Sequence, residues 1–539
     1  MKKKFTKKQQ FKQPFRKQTP PAREVRLEQI TLNEVNKQFT IKAMVDSIAQ
    51  TSGPTLFTLV DGTATLIVKG FESPGERAYP DIKIGDAIEA KIQVNEYNGM
   101  LEGESKYIKK LEGEQATAVQ TLIKEKEKQR AKAKEIPFLI KSQILDKLKN
   151  KFLESATEIR LAVIQNRPII IRHHNDADGY SSGFALERAI LPLIEKQHGP
   201  GKAAWEFYQR APSAAPFYEI DDSIRDTSTS LRNEAKFSNK MPLIIIADNG
   251  SSPEDLMAIK QGKIHGIQFI VIDHHFFDED VISKEVLVHI NPFLVGENGS
   301  AFSAGMLCTE ISRFINPDVE NIAQIAAMAG LADRIELTNP KAVADYIKIA
   351  EKEGYTKNLL NNISTVIDFV SAKLRFMEAR EFIEVIFGEP RNKQKELVSL
   401  LSPYIRKLDE KGLQIAKSAA KVEKIGKVSL QTILIEENFP GFGFFPKPGR
   451  ATGLLHDYLK ENKGAKSIVT AGIMNSAITI RATDDAEFSV HNLIGFLNKQ
   501  IPEAFVEGGG HKNAGSITFI PSKKEKVIHL LKEFIKSQK

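Results

Sequence analysis

The chain has 539 residues, a formal net charge of +8 and 41% hydrophobic residues. A single core rarely extends beyond roughly 250–300 residues, so this length predicts three or four domains. No run approaches the roughly 18 uninterrupted apolar residues of a membrane span, and the N-terminus lacks an apolar signal, so we expect a soluble, cytoplasmic protein. Cys308 is the one cysteine, which excludes a disulfide framework and a thiolate metal site and predicts a buried apolar side chain.

The positive charge is concentrated at the N-terminus. The first 23 residues contain nine Lys and Arg and no acid, and subtracting nine from +8 leaves −1 for residues 24–539. Residues 1–24 are also rich in Gln and Pro, which predicts a disordered basic tail. Nonspecific binding of nucleic acid through counterion release is an equal alternative for this tail. Any binding groove in the rest of the chain must be a local patch.

Residues 25–112 have the pattern of a small β-barrel. Five apolar segments alternate with turns, including the turn signal at residues 61–63. The segment at 51–71 resembles the OB-fold of nucleic-acid-binding proteins, which implies that single strands stack on aromatic side chains in a groove. For each aromatic candidate the alternative is a place in the barrel core. The candidates are Phe57, Phe71, Tyr97 and Tyr107.

Two regions have helical patterns without a chemical motif. Residues 113–160 are first charged and then amphipathic, which predicts a solvated connecting helix followed by a packed one. Residues 341–425 are interpreted as a helical linker or insertion.

Between these regions, apolar runs alternate with helical patterns, as in a mostly parallel α/β sheet. Runs at 167–172, 242–247 and 268–272 lead directly into HHNDADG, DNGSS and DHH. Ligands collect outside the carboxyl ends of parallel strands, so the three motifs are expected to lie together. Carboxylates placed together resist burial unless cations neutralise them. The convergence therefore predicts a metal site.

Each motif alone has an ordinary explanation. Residues 176–179 and 248–250 are also good turn signals, and the histidines at 274–275 could be satisfied core or surface residues. Asp333 follows a helix of small residues that is expected to approach the sheet and aim Asp333 at the same centre. Pairing of Asp333 with Arg334 is the alternative.

Residues 426–539 return to strands and end in EGGGHKNAGSITFI. The three glycines before His511 predict a nest of backbone N–H groups for a phosphate oxygen, with the imidazole as a further donor. A tight glycine turn is the alternative. Arg481 at the end of a strand is a candidate bidentate phosphate clamp, although such an arginine is commonly just solvated.

The ordered set HNDADG, ADNGSS, VIDHH and GLADR, followed by GGGHKNAGS, resembles the DHH phosphoesterase superfamily, and closely its archaeal RecJ-like single-strand exonucleases. The resemblance covers about residues 160–539, and an OB-like segment accompanies that group. It implies an α/β fold: a parallel-sheet DHH domain at 161–340 and a smaller α/β C-terminal domain at 426–539. An N-terminal all-β OB-fold barrel and helical linkers would complete the chain.

The resemblance also implies a centre of two cations, usually Mn²⁺, with Mg²⁺ as the alternative, and carboxylate and imidazole ligands suit both. Either Asp248 or Asp273 would bridge or support the pair. His174 stands where bacterial relatives have an aspartate. The implied metal ligands are His174, Asp176, Asp178, Asp248, Asp273, His274 and Asp333. The implied catalytic residues are Asp273 and His275, and those that hold the substrate phosphate are Gly508, Gly509, Gly510, His511 and Arg481.

The implied reaction is hydrolysis of single-stranded DNA, RNA or both to 5′-mononucleotides, with 5′ to 3′ polarity favoured. One alternative is a phosphodiesterase for short oligonucleotides or cyclic dinucleotides, which needs neither the barrel nor the tail. Another is a replication-complex scaffold with little activity, against which the intact acidic motifs argue. Replication or repair proteins are the protein partners that the resemblance suggests, and no membrane partner is expected.

Overall fold

The computed structural model describes residues 22–97, 99–201, 205–213, 215–237, 239–374, 380–439, 444–463 and 466–538. Contacts divide the chain into two compact units, Met1–Glu127 and Lys128–Lys539. Residues 1–21 of the predicted basic tail lie outside the described residues. Its last residues are tied to the barrel, since the Thr40 amide donates to the Arg23 carbonyl at 3.1 Å.

The first unit is a closed five-stranded barrel with strand order β1-β2-β3-β5-β4, as the alternating segments predict. Its strands are β1 (Gln38–Gln50), β2 (Thr55–Val60), β3 (Thr65–Gly70), β4 (Ala87–Tyr97) and β5 (Met100–Lys110). Successive side chains point to opposite faces of a strand, so alternate apolar residues fill the barrel. Helix α1 (Gly113–Ala131) follows the barrel.

The second unit contains a five-stranded sheet in which every pair of neighbouring strands is parallel. The strands are β6 (Ile169–His173), β7 (Tyr208–Pro212), β8 (Leu243–Ala247), β9 (Gln268–Ile272) and β10 (Val288–Ile290). Their order is β10-β9-β8-β6-β7. The three predicted strands, β6, β8 and β9, are adjacent, and their carboxyl ends share one edge of the sheet.

Helices cover both faces of this parallel sheet. Ile169 and Ile171 of β6 face one hydrophobic core, and Ile170 faces another, as the alternation of side chains along a strand requires. The helices are α2 (Gln143–Ile164), α3 (Ala177–His198), α4 (Ile220–Phe237), α5 (Asp255–Ile264), α6 (Ala304–Ile315) and α7 (Ala323–Ala332). The predicted buried position of Cys308 is found in α6.

The expected approach of the small-residue helix α7 to the sheet is wrong. Helix α7 packs mainly against other helices, including α3 and α6. Its close partner is α6, because the Cβ that Gly305 lacks would lie only 2.6 Å from Ala329 Cβ. Small residues on both helices permit this separation.

The rest of the second unit combines helices with a mixed sheet. The predicted helical region contains α8 (Pro340–Lys352), α9 (Lys357–Leu374), α10 (Arg380–Ile386) and α11 (Arg391–Ala419). The mixed sheet has the order β11-β12-β13-β14-β16-β15. Its strands are β11 (Lys421–Ile425), β12 (Val428–Leu434), β13 (Ile468–Ile473), β14 (Ala477–Ala482), β15 (Glu507–His511) and β16 (Ala514–Thr518).

A separate hydrophobic core lies under the mixed sheet. The helices of this part of the chain are α12 (Ile435–Asn438), α13 (Pro448–Lys463), α14 (Val490–Gln500) and α15 (Lys524–Ser537). Across the described ranges, no helix has both the length and the apolar character needed to cross a membrane.

The contact between α6 and α7 predicts that Gly305→Ala destabilises the second unit by about 1–3 kcal/mol, because an added group overpacks the core. The new Cβ would lie 2.6 Å from Ala329 Cβ and 2.8 Å from Asp178 Oδ1. Gly495→Ala in α14 is the matched control, since nothing lies within 4 Å of the Cβ position. Alanine there is expected to add roughly 0.5–1 kcal/mol of stability. Calorimetric unfolding compares the two, and equal transition temperatures would contradict the tight contact.

Candidate metal centre

A tight turn after β6 places three polar side chains at the carboxyl edge of the parallel sheet. Asp176 caps α3, and its Oδ1 accepts a hydrogen bond from the Gly179 amide at 2.9 Å. A Cβ on Gly179 would lie 2.1 Å from the His174 carbonyl oxygen, so this turn requires glycine. His174, Asp176 and Asp178 are thereby held close together.

Asp248 follows β8 in an unusual backbone conformation. Its φ is +61°, in the left-handed region of backbone conformation that residues other than glycine rarely adopt. The Asp248 amide donates to the Ile272 carbonyl of β9 at 3.0 Å, which holds the residue beside the next strand. Backbone strain of this kind concentrates at functional sites.

Asp273 follows β9 and organises the residues around it. Its Oδ1 accepts hydrogen bonds from the backbone amides of His274 at 2.8 Å and His275 at 3.2 Å, and from His275 Nδ1 at 2.8 Å. Its Oδ2 accepts one from the Ser251 amide at 3.2 Å. Burial alone would raise the pKa of Asp273, but the charge and hydrogen bond of His275 lower it. Asp273 is predicted either to bridge the two cations or to support their ligands. These contacts fit the supporting role.

A first group of ligand atoms lies between the turn after β6 and Asp248. His174 Nδ1 is 3.0 Å from Asp176 Oδ2 and 3.7 Å from Asp248 Oδ2. All three side chains offer ligand atoms within 4.8 Å of one another. Burial alone would lower the pKa of His174, but the charge of Asp176 and its hydrogen bond raise it well above the ordinary value.

A second group lies on the other side of Asp248. His274 Nε2 is 3.3 Å from Asp248 Oδ1, 3.4 Å from Asp333 Oδ2 and 3.8 Å from Asp178 Oδ2. Asp248 therefore directs one carboxylate oxygen toward each group, as a carboxylate that bridges two cations does. Asp333 reaches this group from the end of α7, and the alternative pairing with Arg334 is not observed, because Arg334 pairs with Asp457.

The buried acids of the second group repel one another. Burial raises the pKa of Asp178 well above its ordinary value, and the charges of Asp248 and Asp333 raise it further. Burial alone would lower the pKa of His274, but its hydrogen bond to Asp248 and the charge of Asp333 raise it well above the ordinary value. The Asp178 carboxylate thus carries an electrostatic penalty that a nearby cation would relieve.

The donor set fits divalent cations. Among the described residues, three buried carboxylate oxygens of the centre have no hydrogen-bond partner, namely Asp178 Oδ2, Asp248 Oδ2 and Asp333 Oδ2. Buried polar atoms are normally paired, so these atoms need another ligand. Carboxylate oxygens and imidazole nitrogens without thiolate suit Mn²⁺ or Mg²⁺.

The predicted glycine nest is wrong in its geometry. Gly508, Gly509 and Gly510 lie in β15, which pairs with β16 in antiparallel fashion. The Cβ atoms that Gly508 and Gly510 lack would lie 2.4 Å from the Ser516 carbonyl oxygen and 2.6 Å from the Ala514 carbonyl oxygen, respectively. The glycines thus allow close pairing of an edge strand, and their contact with a phosphate stays a prediction.

Two other predicted substrate-binding residues border the centre. His511 Nε2, at the end of β15, lies 3.6 Å from Asp333 Oδ2. Arg481 lies on β14, and a Cβ on Gly449 at the start of α13 would be 3.7 Å from its Nη2. Burial lowers the pKa of Arg481, and the charge of Arg334 lowers it further. The phosphate contact of Arg481 stays a prediction.

The four predicted aromatic residues of the barrel separate into core and surface. The interpretation of Phe57 as a stacking residue is wrong, because it is 0% exposed and fills the barrel core. Phe71, Tyr97 and Tyr107 are 61%, 60% and 39% exposed. Tyr107 donates its hydroxyl hydrogen to Glu89 at 3.0 Å.

Phe71 and Tyr97 line a groove of about 450 Å³ on the barrel. Lys69 Nζ lies 4.9 Å from the centre of the Tyr97 ring and pairs with Glu102. The carboxylates that line the groove are Glu96, Glu102 and Glu104. Because this surface is acidic, stacking rather than charge must carry any binding of nucleic acid there.

Sequence patterns did not reveal the residues that support Asp273 and His275. Asn291 Nδ2 donates to Ser251 Oγ at 3.0 Å and to the His275 carbonyl at 3.0 Å. Ser251 Oγ in turn lies 2.9 Å from His289 Nε2. Asn291 directly follows β10, a strand of three residues that gives almost no apolar signal.

Lys447 is a second residue that sequence patterns did not reveal. Its Nζ donates to the Asn175 carbonyl at 2.9 Å and to Ser371 Oγ at 2.7 Å. Burial alone would raise the pKa of Asp176, but the charge of His174 lowers it, and Lys447 adds to that effect. The segment before Lys447 carries no motif that points to this position.

Comparison with known proteins connects this centre to a family. A family model described as "DHH family, N-terminal domain" matches residues 168–332. An uncharacterized protein of Methanocaldococcus jannaschii is 39% identical over 525 residues, which cover 93% of this chain and 69% of the relative.

Solved structures are similar as well. A DHH domain from a member of the S1p family of ribosomal proteins is 35% identical, with a TM-score of 0.73, and the match covers 79% of this chain and 99% of that one. RecJ from Thermus thermophilus in complex with Mn²⁺ is 16% identical, with a TM-score of 0.48, and the match covers 71% and 54% of the two chains.

The contacts of Asp248 predict different effects of Asp248→Asn on stability and on metal binding. Without metal, the variant should be about as stable as the wild type, because it loses both the repulsion between Asp248 and Asp178 and the favourable contact of Asp248 with His274. With Mn²⁺ at 100 times its dissociation constant, the wild type should gain about 2.7 kcal/mol, and the variant almost none. Thermal unfolding with and without Mn²⁺ measures both effects.

The control for this experiment is Asp345→Asn on α8, which neutralises a carboxylate that pairs with Lys348 at 3.4 Å outside the centre. It should retain the wild-type response to Mn²⁺. A full Mn²⁺ response in Asp248→Asn would rule out Asp248 as a ligand.

Proposed function

The chain belongs to the DHH family, and from this premise we propose that it is a metal-dependent phosphodiesterase that removes mononucleotides from an end of single-stranded nucleic acid. The observation that carries the proposal is the pair of ligand groups on either side of Asp248. When bound there, two divalent cations would neutralise charge that builds up on the phosphoryl oxygens and make water a better nucleophile.

The residues around the centre have separate tasks in this proposal. Asp273 accepts a hydrogen bond from His275 Nδ1 and fixes the imidazole ring, so that Nε2 is the atom available to the scissile phosphate. Ser251 and Asn291 hold Asp273 and the His275 backbone in place. Arg481 is assigned to a neighbouring phosphate of the substrate, because a guanidinium binds two phosphate oxygens at once.

Attack at a strand end is supported by the position of the mixed sheet beside the centre. Arg334 Nη2 donates to Asp457 at 2.8 Å, and Lys447 donates to the Asn175 carbonyl at 2.9 Å. These contacts join the loops of the parallel sheet to α13 and the segment before it. In this proposal they limit access to the centre from that side, which favours an end of a strand over an internal phosphate.

A second candidate function is hydrolysis of short oligonucleotides or cyclic dinucleotides, and features of the barrel bear on the choice. The acidic groove favours this alternative, because carboxylates repel the backbone of a long strand. The exposed rings of Phe71 and Tyr97 favour the polymer, since bases stack on aromatic faces whatever their sequence. The length of the preferred substrate distinguishes the two.

Asp273→Asn is expected to lower hydrolysis by roughly three orders of magnitude, because losing the support of His275 and of the neighbouring ligands disturbs the whole centre. The assay uses Mn²⁺ with single-stranded DNA and RNA labelled separately at each end. The label released first as a mononucleotide gives the polarity, for which 5′ to 3′ is the expectation. Asp345→Asn is the control, and near-wild-type activity of Asp273→Asn would place the chemistry elsewhere.

Phe71→Ala is expected to raise KM for a long single strand by roughly 5- to 150-fold, the loss of one base stack. KM for a dinucleotide should stay unchanged. Tyr404→Ala removes an aromatic side chain of similar exposure, 53%, on α11 and should affect neither substrate. Equal rates on both substrate lengths, unaffected by Phe71→Ala, would instead establish the short-substrate phosphodiesterase.

A further inference from the structure

His511 reaches the metal centre from a different sheet than the other histidines. His174, His274 and His275 lie on loops that follow strands of the parallel sheet, whereas His511 ends the edge strand β15 of the mixed sheet. The His511 ring centre lies 4.9 Å from that of His274 and 4.8 Å from that of His275. The centre is therefore bordered by imidazoles from both sheets.

The separations at His511 are those of ligands that share one cation. Two ligands that are each about 2.1 Å from a cation lie roughly 3–4 Å apart, depending on the angle between them. His511 Nε2 is 3.6 Å from Asp333 Oδ2, which in turn is 3.4 Å from His274 Nε2. His274, His275 and His511 also offer ligand atoms that lie within 4.8 Å of one another.

The backbone before His511 is shaped to deliver the ring to this place. Gly510 has a φ of +119°, which residues with a side chain rarely adopt. A Cβ there would also lie 2.6 Å from the Ala514 carbonyl oxygen. Both the backbone conformation and the lack of space therefore require glycine at this position. His491 Nε2 lies 3.0 Å from the Gly510 carbonyl oxygen and fixes the end of the strand.

We propose that His511 is itself a metal ligand, which completes the second ligand group of Asp178, His274 and Asp333 from across the cleft. This inference rests on the metal centre of the proposed function but assigns His511 to the cation instead of the substrate phosphate. Asp333 Oδ2, a buried atom without a hydrogen-bond partner among the described residues, would then share its cation with His511.

Such a ligand couples metal binding to the contact between the two sheets. The other members of the second group all belong to the parallel sheet, its loops and α7. A cation bound by them and by His511 therefore restrains β15 against the parallel sheet. Loss of the cation removes that restraint, and the amides of β15 should then exchange with solvent faster.

The test measures Mn²⁺ binding by the full-length protein without any nucleic acid. Wild-type protein is compared with His511→Ala and with His511→Gln, which keeps a hydrogen-bond donor for a phosphate but loses the imidazole nitrogen. His529→Ala is the control, since His529 is an exposed side chain on α15 that lies 3.3 Å from Glu533. Calorimetric titration gives stoichiometry and affinity, and electron spin-echo modulation detects imidazole nitrogen bound to Mn²⁺.

Both His511 variants are expected to weaken one of two Mn²⁺ sites by about 10- to 100-fold or more and to reduce the nitrogen modulation. Mn²⁺ should slow hydrogen exchange of residues 507–511 in the wild type and in His529→Ala, but not in the His511 variants. Unchanged Mn²⁺ affinity and unchanged nitrogen modulation in both variants would overturn the inference. His511 would then keep its predicted role at the substrate phosphate, and the proposed function would not be affected. Absence of Mn²⁺ binding in the wild type would overturn both.

Discussion

The structure around the centre depends on one electrostatic constraint, the repulsion among carboxylates gathered at the edge of a parallel sheet. Asp178, Asp248 and Asp333 reach one region from three separate segments, and burial together with the charges of the other two raises the pKa of Asp178. Charged groups so placed oppose folding unless cations offset them. Tight packing nevertheless holds them there, through the glycine contact between α6 and α7 and the left-handed backbone of Asp248. The repulsion therefore supports the proposal that this arrangement binds metal.

Near this centre, polar contacts join the loops of the parallel sheet to α13 and the segment before it. The ion pair of Arg334 and Asp457 is partly open to solvent, with side chains 60% and 32% exposed. Exposed pairs contribute little net stability, because water competes for both partners. Such contacts can break and re-form at small cost, which is compatible with the proposed entry of a nucleic-acid end and release of a nucleotide. A shared cation would add a contact that depends on the state of the centre.

Much of this arrangement could be predicted from the sequence, for a physical reason. The runs of isoleucine and valine in β6, β8 and β9 are the mark of strands buried on both faces, and polar residues directly after them must meet at one edge. The alternation along β2 also indicates that Phe57 points inward with Leu59, which agrees with the alternative of a place in the barrel core and not with a stacking role. By contrast, β10 has three residues, and the glycines of β15 have low strand propensity, so both strands depend on pairing with a neighbouring strand, β9 and β16 respectively. The contacts of Asn291 and Lys447 are likewise tertiary and leave no local pattern.

Anomalous diffraction from crystals grown with Mn²⁺ tests most directly the proposal that Asp248 would be shared by two cations. Two anomalous peaks are expected, each within about 3 Å of a different carboxylate oxygen of Asp248. One peak should lie beside His174 and Asp176, and the other beside His274 and Asp333. A single peak, or peaks that do not touch Asp248, would contradict the two-cation centre.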